Sequence, residues 1–108
     1  MPRGRLCIAL CDGELAGTAA LRPLDDERGE VKRLYVRPEF RGKGIGKTLM
    51  EWIEREAMAI GYSSLYLDTV PQLVSAIALY RRLGYVETDC YNNSPVETTI
   101  FMKKSLME

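Results

Sequence analysis

The chain has 108 residues, of which 46% are hydrophobic and 28% are charged, a composition and length that suit one soluble globular domain with one modest core. Its apolar runs are only a few residues long, which excludes a transmembrane helix. Fifteen cations balance fifteen anions, so no overall charge draws the chain to nucleic acid or to a membrane, and neither is expected as a partner.

The first third of the chain favours strands. Apolar runs at residues 6–11 and 15–21 flank Asp12-Gly13, a dipeptide that is typical of a tight hairpin. Residues 31–36 are apolar at alternating and adjacent positions, as expected of a central strand with both faces covered.

The middle of the chain predicts a helix between two strands. The glycine-rich segment 41–46 leads into a run with apolar residues at helical spacing, which ends at Gly61. Residues 64–69 predict the next strand.

The last third predicts a second amphipathic helix over residues 73–83, closed by Gly84. Two further strands are predicted at 85–91 and 98–103, joined by the polar loop 92–97. The predicted order β-β-β-α-β-α-β-β indicates an α+β fold, with a mostly antiparallel sheet, a central parallel βαβ crossover and helices on its faces. Residues 1–108 are expected to form a single domain.

Three cysteines, Cys7, Cys11 and Cys90, cannot all pair within the chain, and no histidine is present. We interpret them as buried thiols of a reducing cytoplasm. No structural zinc is expected, and a Ser-His or Cys-His mechanism cannot use this chain's own residues.

The segment around the glycines is strongly basic. Residues 32–47 contain one anionic residue and six cationic residues, and the cationic ones include Arg41, Lys43 and Lys47. Glycines allow backbone N–H groups to approach an anion, and a helix N-terminus adds partial positive charge at the same place. The loop is therefore predicted to bind a phosphate or a pyrophosphate; a solvated charged surface is the alternative interpretation.

Two familiar phosphate loops do not fit this segment. A Walker loop has four residues between its first glycine and Gly-Lys-Thr, whereas Gly42 to Gly46 leaves three. The dinucleotide pattern GxGxxG would need glycine at position 47, which is lysine.

The pattern that fits is Arg41-Gly42-Lys43-Gly44-Ile45-Gly46, read as [Q/R]-x-x-G-x-[G/A] after the strand "VKRLYVRPEF". With "LDTVP" and "AIALYRRLGYVE" downstream, residues 14–104 resemble the GNAT acetyltransferase superfamily. The resemblance implies an N-acetyltransferase that moves an acetyl group directly from acetyl-CoA, without a metal, to a primary amine of a small molecule or a peptide.

The resemblance also implies the binding residues for acetyl-CoA. The loop amides would hold the pyrophosphate, the strand would pair with the pantetheine arm, and an N–H near Leu34 would polarise the thioester carbonyl. The implied cofactor-binding residues are Leu34, Tyr35, Val36, Arg41, Gly42, Lys43, Gly44, Ile45, Gly46 and Lys47. Plain core packing of Leu34 and Val36 is compatible with this role.

Two catalytic residues are implied. Glu30 matches the family position of a general base, needed because an ammonium with a pKa of about 10.4 is almost fully protonated at pH 7. Tyr80, within "ALYRRLGY", matches the tyrosine that gives a proton to the departing thiolate. A surface glutamate and a core tyrosine are the competing interpretations. Leu73 stands where many relatives have an asparagine that contacts the cofactor.

The chain starts at what resembles the family's second strand, without the opening strand and two helices. Either the sequence is a fragment, or a second subunit covers the exposed outer strand, which predicts a homodimer. A non-catalytic module of the same fold, which binds acetyl-CoA or another protein, is the rival functional interpretation.

Overall fold

The computed structural model describes residues 4–92 and 97–106. Within them the elements follow the predicted order, with a short 3₁₀ turn added at Pro38–Phe40. The strands are β1 (Arg5–Cys11), β2 (Glu14–Pro23), β3 (Arg28–Val36), β4 (Ser64–Thr69), β5 (Val86–Thr88) and β6 (Ile100–Ser105). The helices are α1 (Ile45–Ile60) and α2 (Val74–Arg82).

The six strands form one sheet in the order β1-β2-β3-β4-β6-β5. β3 and β4 pair in parallel, and the other neighbouring strands pair antiparallel. The predicted mixed sheet with a central parallel crossover is therefore confirmed.

Helix α1 has the predicted bounds because glycines stand at both of its ends. Gly44 precedes it with φ 78° and Gly61 follows it with φ 109°, backbone conformations that favour glycine. Its apolar side faces β1, β2 and β3. Neither helix of the described part is long and apolar enough to cross a membrane.

The core lies between one face of the sheet and the two helices. Leu49 and Ile53 of α1, Leu65 and Leu67 of β4 and Tyr80 of α2 belong to the same buried cluster. The opposite face of β1 is open to solvent, and it carries the exposed side chains of Leu6, Ile8 and Leu10. These side chains are not part of the core.

The C-terminal strands differ from the prediction. The strand predicted at 85–91 is confined to Val86–Thr88, and the one predicted at 98–103 is found at Ile100–Ser105. Residues 89–92 leave the sheet, and Tyr91 and Asn92 contact carboxylates of β3 and β4 instead of extending the ladder. Residues 93–96 of the predicted loop lie outside the described residues.

The cysteines also differ from the prediction. Cys7 and Cys11 are half-buried, but Cys90 is exposed, so the expectation of three buried thiols is wrong for Cys90. It follows the short β5 in the segment that has left the sheet, and its thiol lies 2.7 Å from the carbonyl oxygen of Asn92.

Candidate functional site

The loop between β3 and α1 is shaped by two left-handed glycines. Gly42 and Gly44 have φ 80° and 78°, and a Cβ built on either would meet no atom within 4 Å. Any side chain there would stand in the open space above the loop. The backbone is thus left uncovered where the first turn of α1 begins.

The backbone N–H groups of this loop form a cluster of available donors. Among the described residues, none of the N–H groups of residues 42–47 has an internal acceptor. The N–H of Arg41 differs from the expectation, because it donates to the carbonyl oxygen of Pro38 at 3.3 Å. Six consecutive donors at a helix N-terminus make a site for an anionic oxygen group.

Cationic side chains surround these donors. The Nε of Arg41 donates to the carbonyl oxygen of Val36 at 2.9 Å, and its guanidinium lies 5.8 Å from the ring centre of Tyr35. Lys43 and Lys47 are exposed, and within the described part no carboxylate forms an ion pair with them or with Arg41. The positive charge is therefore not neutralised inside the protein, which favours a polyanionic ligand.

A wedge opens between the two parallel strands. β3 and β4 pair only from Arg28 to Glu30, after which the strands separate. A cavity of about 130 Å³ fills the gap. It is lined by Val31, Lys32, Arg33, Leu34, Leu67, Asp68, Thr69, Leu73 and Tyr80. The β4-facing edge of β3 is thus open at Leu34, next to the glycine loop.

A bulge in β3 lies at the same place. Between the pairs Thr18–Tyr35 and Ala20–Lys32, β3 advances three residues while β2 advances two. Arg33 takes up the extra residue with φ 56°, and its carbonyl oxygen accepts a hydrogen bond from the Thr18 hydroxyl at 2.9 Å. Bulges redirect a strand's side chains and backbone groups, so this one sets the orientation of the Leu34 peptide.

Tyr80 lines the wall of the cavity on α2. It is 6% exposed and packs against Tyr85, with ring centres 6.0 Å apart. Burial, and after it the charge of Asp68, raise the pKa of Tyr80 to about 12. The phenol therefore stays protonated at neutral pH and can donate a hydrogen bond into the cavity.

Glu30 is buried rather than superficial, with 1% of its surface exposed. Its Oε2 accepts a hydrogen bond from the Tyr91 hydroxyl at 2.7 Å and lies 3.1 Å from Lys32 Nζ. Arg22 Nε lies 2.8 Å from Oε1, an ion pair whose N–H is not aligned as a hydrogen bond. A buried carboxylate needs such partners. Glu30 does not line the cavity.

The catalytic and cofactor-binding residues predicted from the sequence did not include Asp68, Tyr91 or Asn92, although the loop that begins at Tyr91 was expected to border the acceptor pocket. Asp68 is in the cavity wall, and Lys32 Nζ lies 3.4 Å from its Oδ2 as well as near Glu30. The alternation of β4 could have revealed it, because buried Leu65 and Leu67 place Asp68 on the opposite face. No local signal indicates the contacts of Tyr91 and Asn92.

Across residues 4–92 and 97–106, no three Cys, Asp or Glu side chains are grouped so that they could hold a metal ion.

The sequence and the fold match a known family. The model of the acetyltransferase (GNAT) family matches residues 1–85. The chain belongs to the GNAT acetyltransferase family. An uncharacterised N-acetyltransferase of Schizosaccharomyces pombe is 36% identical over 94% of this chain. The match spans only 64% of that relative's length, so this GNAT chain corresponds to about two thirds of it.

Solved structures show the same GNAT fold. A Klebsiella pneumoniae protein described as an acyl-CoA N-acyltransferase superposes with a TM-score of 0.90 and 30% identity, over 97% of this chain and 74% of the other. A GNAT acetyltransferase of Elizabethkingia anophelis, solved with acetyl-CoA bound, has a TM-score of 0.81 and 25% identity, over 95% and 76% of the two chains.

The fold brings most of the predicted site residues together. Leu34 and Tyr80 share the cavity, and the loop residues lie at the end of the strand that bounds it. Tyr35 is half exposed beneath Arg41, and the Val36 carbonyl is already bonded to Arg41. Glu30 lies behind Lys32, away from the cavity lining.

Proposed function

We propose that this chain transfers an acetyl group from acetyl-CoA to the amine of a small molecule or a peptide. The observation that carries the proposal is the row of six N–H groups without internal acceptors, beside unpaired cations and next to an open wedge in the sheet. The related GNAT acetyltransferase of Elizabethkingia anophelis binds acetyl-CoA, which supports this choice of donor.

In this proposal the two halves of the site hold the two ends of acetyl-CoA. The N–H groups from Gly42 to Lys47, with Lys43 and the Arg41 guanidinium, bind the pyrophosphate. The pantetheine arm then follows the open edge of β3 into the wedge. This arrangement delivers the thioester to the cavity beside Leu34 and Tyr80.

The proposed chemistry is direct transfer. The amine nitrogen attacks the thioester carbonyl carbon, so that an N–C bond forms and the C–S bond breaks. The Leu34 N–H, aimed by the bulge, stabilises the charge that develops on the carbonyl oxygen. Tyr80 donates its proton to the departing thiolate, and Glu30 accepts, through water, the proton that the amine loses.

The donor site is tested by substitution of Gly44. Gly44→Asp places a carboxylate over the loop without a steric clash, since a Cβ there meets no neighbour. Acetyl-CoA at 100 times its dissociation constant stabilises the wild type by about 2.7 kcal/mol, a shift of several degrees in melting temperature.

Gly44→Asp is expected to abolish this shift. Gly44→Asn is the matched control, because asparagine also tolerates the left-handed conformation but carries no charge. An equal shift in both variants would contradict phosphate binding at this loop, as would stabilisation by ATP or NAD but not by acetyl-CoA.

The proton acceptor is tested by Glu30→Gln. With an amine found by release of free thiol in a panel, we expect kcat to fall about 10²-fold or more while the dissociation constant of acetyl-CoA changes little. If acetyl-CoA binds but no amine is acetylated, the non-catalytic module is the better description.

A further inference from the structure

Asp68 is the carboxylate that the cavity presents to a ligand. It lies near the end of β4 and lines the cavity together with Tyr80 and Leu34. Its side chain is 27% exposed, whereas that of Glu30 is 1% exposed and lies outside the lining. Of these two carboxylates, Asp68 is therefore the one that a molecule in the wedge can contact.

One oxygen of Asp68 is fixed and the other is available. Asn92 Nδ2 donates to Oδ2 at 2.9 Å, and Lys32 Nζ lies 3.4 Å from the same atom. Within the described residues no hydrogen bond reaches Oδ1. The fixed oxygen orients the carboxylate, and the available one keeps its capacity to accept.

The charge of Asp68 is incompletely neutralised. Lys32 lies nearer to Glu30, at 3.1 Å, than to Asp68, at 3.4 Å. The other cation of the lining, Arg33, forms no ion pair among the described residues and has an exposed side chain. Tyr80 is neutral at physiological pH because its pKa is about 12. A partly buried carboxylate with a free oxygen is a good partner for a cation.

We propose that Asp68 binds the acceptor amine in its protonated, ammonium form, so that the site selects aliphatic amines over aromatic ones. Aliphatic amines are almost fully protonated at pH 7, whereas aromatic amines are neutral there. This inference rests on the proposed acetyl transfer and names the class of acceptor. Asp68 acts in binding: the bound ammonium first releases one proton to the solvent, and the neutral amine then attacks the thioester and loses its second proton to Glu30 as described above.

The first test measures binding without turnover. The probe is n-butylamine, a cation at pH 7, and its neutral counterpart is 1-butanol. Both are titrated into ¹⁵N-labelled protein with CoA present, and the amide signals of Leu67, Asp68 and Thr69 are followed. We expect n-butylamine to bind about tenfold more tightly than 1-butanol in the wild type.

Asp68→Asn should remove this preference. Asparagine has the shape of aspartate and leaves Asn92 nearby, but it carries no charge. Asp12→Asn, in the hairpin turn between β1 and β2, removes the same charge far from the cavity and should leave the preference intact. Equal binding of the two probes in the wild type, no perturbation of the cavity signals, or an unchanged preference in Asp68→Asn would each overturn the proposal.

Kinetics separate this inference from the proposed function. With the aliphatic acceptor found in the amine panel, Asp68→Asn should raise KM about tenfold with little loss of kcat, whereas Glu30→Gln should lower kcat. A failure of Gly44→Asp to affect acetyl-CoA would defeat the proposed function and leave the amine-binding result standing. A KM unchanged in Asp68→Asn, with normal acetyl-CoA binding, would defeat only the inference.

Discussion

Glu30 is held by partners from its own strand, from the neighbouring strand and from a distant part of the chain. The carboxylate of Glu30 lies between Arg22 of β2, Lys32 of β3 and Tyr91 beyond β5. Burial first, and then the hydrogen bond to Glu30 and its charge, raise the pKa of Tyr91. Tyr91 therefore remains a hydrogen-bond donor throughout the neutral range and fixes the orientation of Glu30.

Tyr91→Phe tests this role. Phenylalanine cannot donate to the carboxylate of Glu30, so Glu30 loses the hydrogen bond that orients it and kcat should fall several-fold. The charged groups around Glu30 (Arg22, Lys32 and, behind Lys32, Asp68) stay in place. The dissociation constant of acetyl-CoA should change little, because its proposed pyrophosphate site is the glycine loop.

The kcat of Tyr91→Phe is compared with that of Tyr62→Phe, which changes a buried tyrosine two residues before β4. Both variants are also unfolded with urea, since loss of a buried hydrogen bond lowers stability in either case. A kcat equal to that of the wild type, despite lower stability, would mean that Tyr91 only supports the fold.

Among the elements, β3 defines the site because its two edges have different partners. One edge is paired with β2 along most of its length, and the other leaves β4 after Glu30. The bulge at Arg33 lies where the second edge is open. The strand therefore combines a rigid support on one side with an unpaired backbone on the other.

Thr18→Val tests whether the bulge positions the reacting group. Valine keeps the shape of threonine but cannot donate to the Arg33 carbonyl, so the unfolding free energy should fall by about 1 kcal/mol. We expect kcat to fall several-fold because the Leu34 N–H is no longer fixed, while acetyl-CoA affinity, which depends mainly on the loop, changes little.

Thr88→Val, in edge strand β5, is the control, because it makes the same substitution in the sheet at a position outside the bulge. The result that would refute the positioning role is a full kcat in Thr18→Val at a measurably lower stability. Stability is measured by urea unfolding, and kcat with the acceptor from the amine panel.

At the scale of the whole molecule, the two faces of the sheet are unequal. Both helices belong to the core on one face, and the other carries Leu6, Ile8 and Leu10, which are 62%, 55% and 67% exposed. Leu6 pairs with Ala20, and Ala20 pairs with Lys32. The exposed apolar side chains of β1 therefore lie near Lys32, which contacts Glu30 and Asp68. β1 is also an edge strand of the sheet.

Exposed apolar edge strands tend to associate, and we propose that a second copy of the chain covers this one. The average mass of the wild type, measured by light scattering, should increase with protein concentration. Ile8→Lys should make this increase smaller. Met58→Lys, which adds the same charge to an exposed position of α1, should not. A wild-type chain that stays monomeric at high concentration would exclude the dimer.

The sequence alone determined the order of the elements, both ends of α1 and the position of the glycine loop. These depend on local properties: hydrophobic period, and glycines at positions where the backbone turns left-handed. Family resemblance implied that Leu34 and Tyr80 act at the same thioester, and in the structure both residues line one cavity. The end of strand β5 could not be predicted from local properties, because residues 89–92 form side-chain contacts with β3 and β4 and do not pair in the sheet.

Only the tertiary structure decided the burial of Glu30, the bulge at Arg33 and the presence of Asp68 in the cavity wall. The partners of Glu30 include a residue 61 positions away, and nothing local in the sequence marks such a pair. Arginine has no preference for a left-handed backbone, so the bulge follows from the fit between β2 and β3. Local chemistry thus specified the glycine loop, whereas long-range packing specified which carboxylate lines the cavity.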